Sequence, residues 1–121
     1  MYKMKKILIV DDTEFMRLTI RRILEEAGFN IIVEAGNGVE AIEQFKIHQP
    51  DLVLMDITMP IMTGIEALKE IKAMNPQAKV VMVSAIGQES VVREAIAFGA
   101  ESFIVKPFQG LRLIELVNRI A

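Results

Sequence analysis

Three aspartates follow two short apolar runs of the sequence, and together they could act on a cation or a phosphoryl group. Asp11 and Asp12 come directly after the run at residues 7–10, and Asp56 closes the run at residues 52–55. A carboxylate in such a place is costly to bury without a cation. Crowded carboxylates also repel one another, so we expect a hard divalent ion among them. With oxygen ligands only, Mg²⁺ fits best, because it uses one or two carboxylates and keeps several waters.

Two further polar residues follow apolar runs in the second half of the chain. Ser84 comes after residues 80–83, and Lys106 comes after residues 103–105. If these runs are parallel strands, their polar followers lie at the same edge of the sheet as the aspartates. A carboxylate there can act as a nucleophile towards phosphorus. The ion and Lys106 would offset the charge on the phosphoryl oxygens, and Ser84 would donate a hydrogen bond.

Each of these polar residues, taken alone, has an ordinary structural explanation. An aspartate after a strand often caps a helix, and a serine there is commonly a cap or turn residue. A single strand-end lysine is usually a surface residue. Such explanations would have to hold independently at five positions. The combination therefore favours a functional site.

The hydrophobic pattern indicates which elements bring these residues together. Five short apolar runs are continuous rather than alternating, as expected for a parallel sheet with helices on both faces. These runs are residues 7–10, 31–35, 52–55, 80–83 and 103–105. The segments between them carry apolar residues three or four positions apart, which is typical of helices. The pattern predicts an α/β fold, a single doubly wound domain over residues 1–121.

Turn and cap residues agree with this division of the chain. Asn37 and Glu40 predict a capping box at the start of the second helix. Gly28 and Gly99 stand where the C-terminus of a helix favours a left-handed residue. The third helix should end near Asn75, which precedes a proline.

Composition and charge exclude several classes of protein. The chain has 121 residues, of which 52% are hydrophobic and 25% charged, and this balance fits one globular domain. Its net charge of −2 gives no basic excess for nucleic acid. The absence of cysteine removes thiolate metal sites, and the single histidine, His48, cannot build a zinc site. No apolar run is long enough for a signal peptide or membrane span, so we expect a cytoplasmic protein without membrane partners.

The sequence resembles the receiver domains of bacterial response regulators, and more closely the stand-alone chemotaxis regulators. The resemblance covers nearly the whole chain. It rests on residues 7–12, on residues 50–56 with Met59, Pro60 and Gly64, on residues 83–85, and on residues 106–108. It implies a flavodoxin-like, five-stranded parallel sheet with strand order 2-1-3-4-5, and no output domain.

The resemblance also implies an ion-binding and phosphorylation site. Asp56 would be the phosphoacceptor, and it would bind Mg²⁺ directly together with Asp12. Asp11 would contact the ion largely through water, and the backbone carbonyl of Thr58 would complete the protein ligands. Thr58 and Ile86 would flank the site, at positions where members of the family vary.

A second group of residues would respond to phosphorylation, again by resemblance. Lys106 would pair with the phosphoryl group, and the bond between Lys106 and Pro107 would be cis. Ser84 would be the switch hydroxyl and Phe103 the switch aromatic residue. Ordinary core packing is the alternative explanation for Phe103.

The function implied is that of a two-component response regulator in chemotaxis. Such a protein accepts a phosphoryl group from a histidine kinase and catalyses only its own phosphorylation and dephosphorylation. Because no output domain is expected, the signal would pass through binding to another protein. A flagellar motor switch protein is the expected partner, and a phosphatase is a further one.

Four alternatives stay open at this point. A single-domain phosphorelay intermediate would have the same site. An aspartate-nucleophile phosphatase of the haloacid-dehalogenase type would need an acid two residues after Asp56, where Thr58 stands. A flavodoxin-like cofactor binder would need a phosphate-binding loop after the first strand, where Asp11 and Asp12 would repel phosphate. A pseudo-receiver that binds partners without phosphorylation would not need the full set of site residues.

Overall fold

A computed structural model describes the protein over residues 3–85 and 87–121. Ile86, which the resemblance places beside the site, lies outside the described residues. Strands and helices alternate along the described chain in the order β1 (Lys3–Val10), α1 (Glu14–Glu26), β2 (Phe29–Ala35), α2 (Gly38–His48), β3 (Leu52–Met55), α3 (Gly64–Met74), β4 (Val80–Ser84), α4 (Glu89–Ala97), β5 (Ser102–Val105) and α5 (Gly110–Ile120).

The strands form one parallel sheet with the order β2-β1-β3-β4-β5. Both the fold class and the strand order predicted from the sequence are confirmed. In this order the chain reverses direction across the sheet between β1 and β3, which is where such folds bind ligands.

Helices cover both faces of the sheet, and successive strand residues enter different cores. In β1, Leu8 and Val10 belong to the core on the side of α2, α3 and α4, whereas Ile7 and Ile9 belong to the core beneath α1 and α5. β3 and β4 are buried along their whole length. This two-sided burial explains why their sequences are continuous apolar runs.

Strands β1, β2 and β5 begin earlier than the apolar pattern predicts, although all the predicted strands are present. β3 has the predicted bounds, but β1 begins at Lys3 and β2 at Phe29. Lys6 pairs with Ile31, and Lys3 pairs with Phe29 beyond a register shift. Backbone pairing requires no apolar side chain, so the sheet continues past the end of the hydrophobic pattern.

The predicted capping box at α2 is only half correct. The side chain of Asn37 accepts a hydrogen bond from the backbone nitrogen of Glu40 at 2.9 Å. The carboxylate of Glu40 accepts from the backbone nitrogen of Gly36 at 2.8 Å and from Nδ2 of Asn37 at 3.3 Å, so it binds the side chain of Asn37 and not its backbone nitrogen. A reciprocal capping box is found at the start of α3, between Thr63 and Glu66.

The other predicted helix ends are confirmed. Gly28 and Gly99 have φ angles of 96° and 99°, the left-handed conformation that glycine adopts without steric cost. Asn75 follows the last residue of α3. Within residues 3–85 and 87–121, no helix is long and apolar enough to cross a membrane.

Candidate functional site

The carboxyl ends of β1 and β3 bring together an aspartate cluster made of Asp11, Asp12 and Asp56. These strands are neighbours, and Val10 pairs with Met55, so the residues that follow them lie side by side. One carboxylate oxygen from each aspartate lies within 4.8 Å of the others. A set of oxygen donors at this spacing suits a hard cation. The aspartate cluster could therefore hold a metal ion.

Asp11 is the most completely paired member of the cluster. Its side chain is buried, and its Oδ2 forms an ion pair of 2.7 Å with Nζ of Lys106. Its Oδ1 accepts hydrogen bonds from the backbone nitrogen and the hydroxyl of Thr13, both at 2.9 Å. Because both oxygens have partners, this carboxylate can be buried without a large desolvation cost.

Asp56 is buried as well, with 8% of its surface exposed, but it is less tightly paired. Its Oδ1 accepts a hydrogen bond from the backbone nitrogen of Ile57 at 2.7 Å, which fixes the orientation of the carboxylate. Its Oδ2 lies 3.4 Å from Nζ of Lys106, a longer contact than the one that Lys106 makes with Asp11. Asp56 is therefore oriented by the backbone while one oxygen stays weakly engaged.

The charges of the site do not balance among its own side chains. The three carboxylates and the ammonium of Lys106 give a formal charge of −3 + 1 = −2. An anionic phosphoryl donor would be repelled by this charge, whereas a divalent cation would neutralise it. The charge balance therefore favours a divalent ion at the aspartate cluster.

A tight loop after β3 holds the backbone around Asp56. The nitrogen of Gly64 donates a hydrogen bond to the carbonyl oxygen of Ile57 at 2.8 Å. A Cβ atom at Gly64 would collide with the carbonyl oxygen of Asp56, so only glycine fits this position. Thr58 lies inside the loop with an exposed side chain. The loop thus places the backbone of Thr58 close to the phosphoacceptor candidate.

β4 and β5 bring Ser84 and Lys106 to the same edge of the sheet, whereas Phe103 lies within β5. Ser84, which is 1% exposed, ends β4 and pairs with Val105, and its carbonyl oxygen accepts from the backbone nitrogen of Lys106 at 2.9 Å. The bond between Lys106 and Pro107 is cis, as expected. Phe103 is partly buried and packs against the core beneath α2, α3 and α4.

Sequence reasoning missed the residues that support Asp11 from outside the cluster. Thr13 binds its carboxylate, and Nη1 of Arg17 donates to its carbonyl oxygen at 2.7 Å. Arg17 is in turn paired with Glu34. Two signals were present: a threonine two residues after an aspartate fits a local turn, and Glu34 is the charged residue in the otherwise uncharged β2.

Comparisons with known proteins agree with the fold. The model of the response regulator receiver domain family matches residues 7–118. The chemotaxis protein CheY of Bacillus subtilis is 56% identical over 114 residues, which cover 94% of this chain and 95% of that protein. The chemotaxis protein CheY of Thermotoga maritima is 50% identical over 117 residues, which cover 97% of this chain and 98% of that protein.

A solved structure shows the same likeness in three dimensions. The CheX-CheY-BeF3-Mg²⁺ complex from Borrelia burgdorferi contains a chain that matches with a TM-score of 0.93 and 39% identity, covering 96% of this chain and 88% of that chain. The resemblance noted in the sequence is thus confirmed over nearly the full length. The chain belongs to the response regulator receiver domain family, as a chemotaxis response regulator.

Proposed function

We propose that the protein accepts a phosphoryl group on Asp56 and signals in chemotaxis by binding other proteins in its phosphorylated form. The observation that carries this proposal is the pairing of one ammonium with two strand-end carboxylates. Nζ of Lys106 lies 2.7 Å from Asp11 and 3.4 Å from Asp56, with the carboxylate of Asp12 in the same cluster. A nucleophile, a cation site and a counter-charge are therefore adjacent.

The residues of the aspartate cluster fit a hydrated Mg²⁺ ion. Asp12 is exposed and open to direct ligation, as is Asp56 through its weakly engaged oxygen. Asp11 already binds Lys106 and Thr13, so its contact with the ion would pass through water. The backbone carbonyl of Thr58 would complete the protein ligands. When bound, Mg²⁺ supplies a divalent counter-charge for the phosphoryl oxygens.

The phosphoryl transfer itself requires little covalent chemistry from the protein. A carboxylate oxygen of Asp56 attacks the phosphorus of a phosphohistidine on a histidine kinase and forms a new P–O bond. The P–N bond breaks, and the imidazole nitrogen keeps its electron pair and takes up a proton. The backbone nitrogen of Ile57 holds the attacking carboxylate in place. Lys106 offsets the charge on the phosphoryl oxygens, and the hydroxyl of Ser84 can donate a hydrogen bond to them.

The chemistry of the site and the similar chemotaxis proteins indicate which partners to expect for this protein. We infer a histidine kinase as donor, a flagellar motor switch protein as receiver of the signal, and a phosphatase as a further partner. A CheX-CheY complex among the solved structures supports a partner of the CheX kind. The relatives favour chemotaxis over a phosphorelay role. Residues 1–121 would act as one receiver domain in the cytoplasm, catalysing only its own phosphorylation and dephosphorylation.

Acetyl phosphate provides the test, because it transfers its phosphoryl group to a carboxylate without a kinase. The protein is incubated with acetyl phosphate, with and without Mg²⁺, and its intact mass is measured. We expect one added phosphoryl group in the presence of Mg²⁺ and none in Asp56→Asn, since an amide is not a nucleophile of this kind. Asp51→Asn is the matched control, because Asp51 is an exposed aspartate before β3. A full adduct on Asp56→Asn would show that the assignment is wrong.

A further inference from the structure

The backbone of Asp11 is fixed at both of its polar groups. Its nitrogen donates a hydrogen bond to the carbonyl oxygen of Ala35 in β2 at 3.1 Å. Its carbonyl oxygen accepts from Nη1 of Arg17 in α1 at 2.7 Å. Because a carbonyl and the following nitrogen share one planar peptide group, Arg17 also fixes the direction in which the chain enters Asp12.

Arg17 is itself held in place by Glu34. Its Nε lies 2.9 Å from Oε1 of Glu34, while Oε2 of Glu34 accepts from Nε of Arg21 at 2.7 Å. The side chains of Arg17 and Glu34 are only 20% and 29% exposed. A guanidinium can donate from one edge to a carboxylate and from another to a carbonyl, and no other side chain offers this fork.

We propose that Arg17 is a positioning residue for metal binding. By holding the peptide between Asp11 and Asp12, it keeps the carboxylate of Asp12 within reach of the other two members of the aspartate cluster, inside the observed 4.8 Å. Arg17 carries donors only and cannot be a metal ligand. The inference rests on the proposed function, because it concerns the ion site that phosphorylation needs.

Charge and position predict opposite effects for the loss of Arg17. The formal charges of Arg17, Arg21, Glu25 and Glu34 cancel, as +2 − 2 = 0. Removing one arginine makes this region more negative and should strengthen cation binding. Releasing the peptide between Asp11 and Asp12 should weaken cation binding. The sign of the change in Mg²⁺ affinity therefore separates the two explanations.

The test is a Mg²⁺ titration of the unphosphorylated protein, in which binding is measured from the changes in amide NMR chemical shifts. Arg17→Ala should weaken Mg²⁺ binding by about tenfold, the low end of what the loss of a supporting partner costs a metal site. Arg17→Lys keeps the positive charge but not the planar guanidinium that binds both Glu34 and the carbonyl of Asp11. It should weaken Mg²⁺ binding to a similar extent. Arg21→Ala is the matched control, since Arg21 pairs with Glu34 without contacting Asp11. It should change the affinity much less than Arg17→Ala, because the partners of Arg21 are Glu25, Glu34 and the carbonyl oxygen of Ile32, not the peptide before Asp12.

A second measurement reports on the loop without any metal. The nitrogen of Thr13 donates to Oδ1 of Asp11 at 2.9 Å, so its amide hydrogen should exchange faster in both Arg17 variants and not in Arg21→Ala. Mg²⁺ binding that is unchanged or tighter in both Arg17 variants would overturn the inference, and so would an equal loss in Arg21→Ala. If Arg17→Ala fails to fold, Arg17→Lys decides alone. If the wild-type protein shows no saturable Mg²⁺ binding, the proposed function itself is wrong.

Discussion

Lys106 and Asp11 form an ion pair of 2.7 Å although they lie 95 positions apart in the sequence. The side chain of Lys106 is 15% exposed and that of Asp11 is 3% exposed, so both charges are largely withdrawn from water. Neither charge could be buried there alone without a large cost. In this arrangement the ammonium is closer to Asp11 than to Asp56.

Asp12→Ala should weaken Mg²⁺ binding more than Asp11→Ala. Asp12 is exposed, whereas both oxygens of Asp11 are already engaged by Lys106 and Thr13. Direct ligation contributes more than contact through water, and we expect Asp12→Ala to lose about tenfold or more in affinity. Calorimetric titration of both variants measures this difference. Equal losses would contradict the roles assigned to the two aspartates.

Lys106→Arg should permit phosphorylation but impair the response to it. The compact ammonium lies between two carboxylates, and a planar guanidinium cannot take the same position. We expect a near-normal adduct with acetyl phosphate but loss of most of the phosphorylation-dependent gain in partner affinity, which in such switches is about 5- to 150-fold. Mass spectrometry and fluorescence anisotropy measure the two effects.

Lys79→Arg is the matched control for this variant. Nζ of Lys79 donates to the carbonyl oxygen of Ile120, on the side of the sheet where the strands begin. This substitution should leave both phosphorylation and partner binding intact. Normal phosphorylation-dependent binding by Lys106→Arg would mean that the lysine does not couple phosphorylation to output.

Gly64→Ala should destabilise the fold and slow phosphorylation. The added Cβ would collide with the carbonyl oxygen of Asp56, which cannot move without displacing that residue. We expect a loss of about 1–3 kcal/mol in the free energy of unfolding, as for other overpacked sites. Gly36→Ala is the control, because its Cβ would meet the flexible carboxylate of Glu40 at 3.4 Å. Urea denaturation compares the two variants, and equal stability would refute this account of the loop.

Ile61→Asn should stabilise the protein. Ile61 has a φ of 71°, which is unfavourable for a β-branched residue, and its side chain is 81% exposed. Asparagine tolerates this conformation better, so we expect a gain of about 1 kcal/mol in the free energy of unfolding. Ile47→Asn should give no gain, because Ile47 is 70% exposed in α2, where asparagine is a poorer helix former. Thermal unfolding measures both, and a loss in Ile61→Asn would disprove the expectation.

Phosphorylation should change amide NMR shifts along α4 and β5, beyond the site itself. Ser84 is buried at the end of β4, and Phe103 in the neighbouring strand β5 is partly buried against the core beneath α2, α3 and α4. A phosphoryl group on Asp56 should draw Ser84 inward, bias an existing equilibrium and alter the face around Ile96, which is 47% exposed. Spectra with and without beryllofluoride and Mg²⁺ provide the test. Shifts that never reach residues 89–105 would exclude this output face.

The bounds of a strand were predictable where a buried apolar run is bounded by polar residues. β3 is buried on both faces and bounded by polar residues, so its apolar run matches the strand residue for residue. β1 extends four residues beyond its apolar run, because pairing with β2 depends on backbone groups that every residue carries. Side-chain patterns therefore locate buried strands better than strand ends near the surface.

The aspartate cluster was predictable because the topology brings strand ends together, whereas its supporting contacts were not. Asp11 and Asp56 follow neighbouring strands, and the order of those strands decides their proximity. The contact from Arg17 is made to a backbone carbonyl, a group present at every position of a sequence. No pattern of residue types marks which carbonyl an arginine will bind. The preference of Lys106 for Asp11 over Asp56 likewise depends on the small difference between contacts of 2.7 Å and 3.4 Å.

The place of β5 as the last strand of the sequence determines when the ion pairs of the site can form during protein synthesis. All three aspartates belong to the first half of the chain, while Lys106, which pairs with Asp11 and Asp56, follows the last strand. A nascent chain that has emerged from the ribosome only as far as β4 carries the acidic part of the site without its ammonium. The ammonium of Lys106 joins the site when β5 pairs with β4 and completes that edge of the sheet. A nascent chain can therefore complete the ion pairs of this site only after β5 and the lysine that follows it have been made.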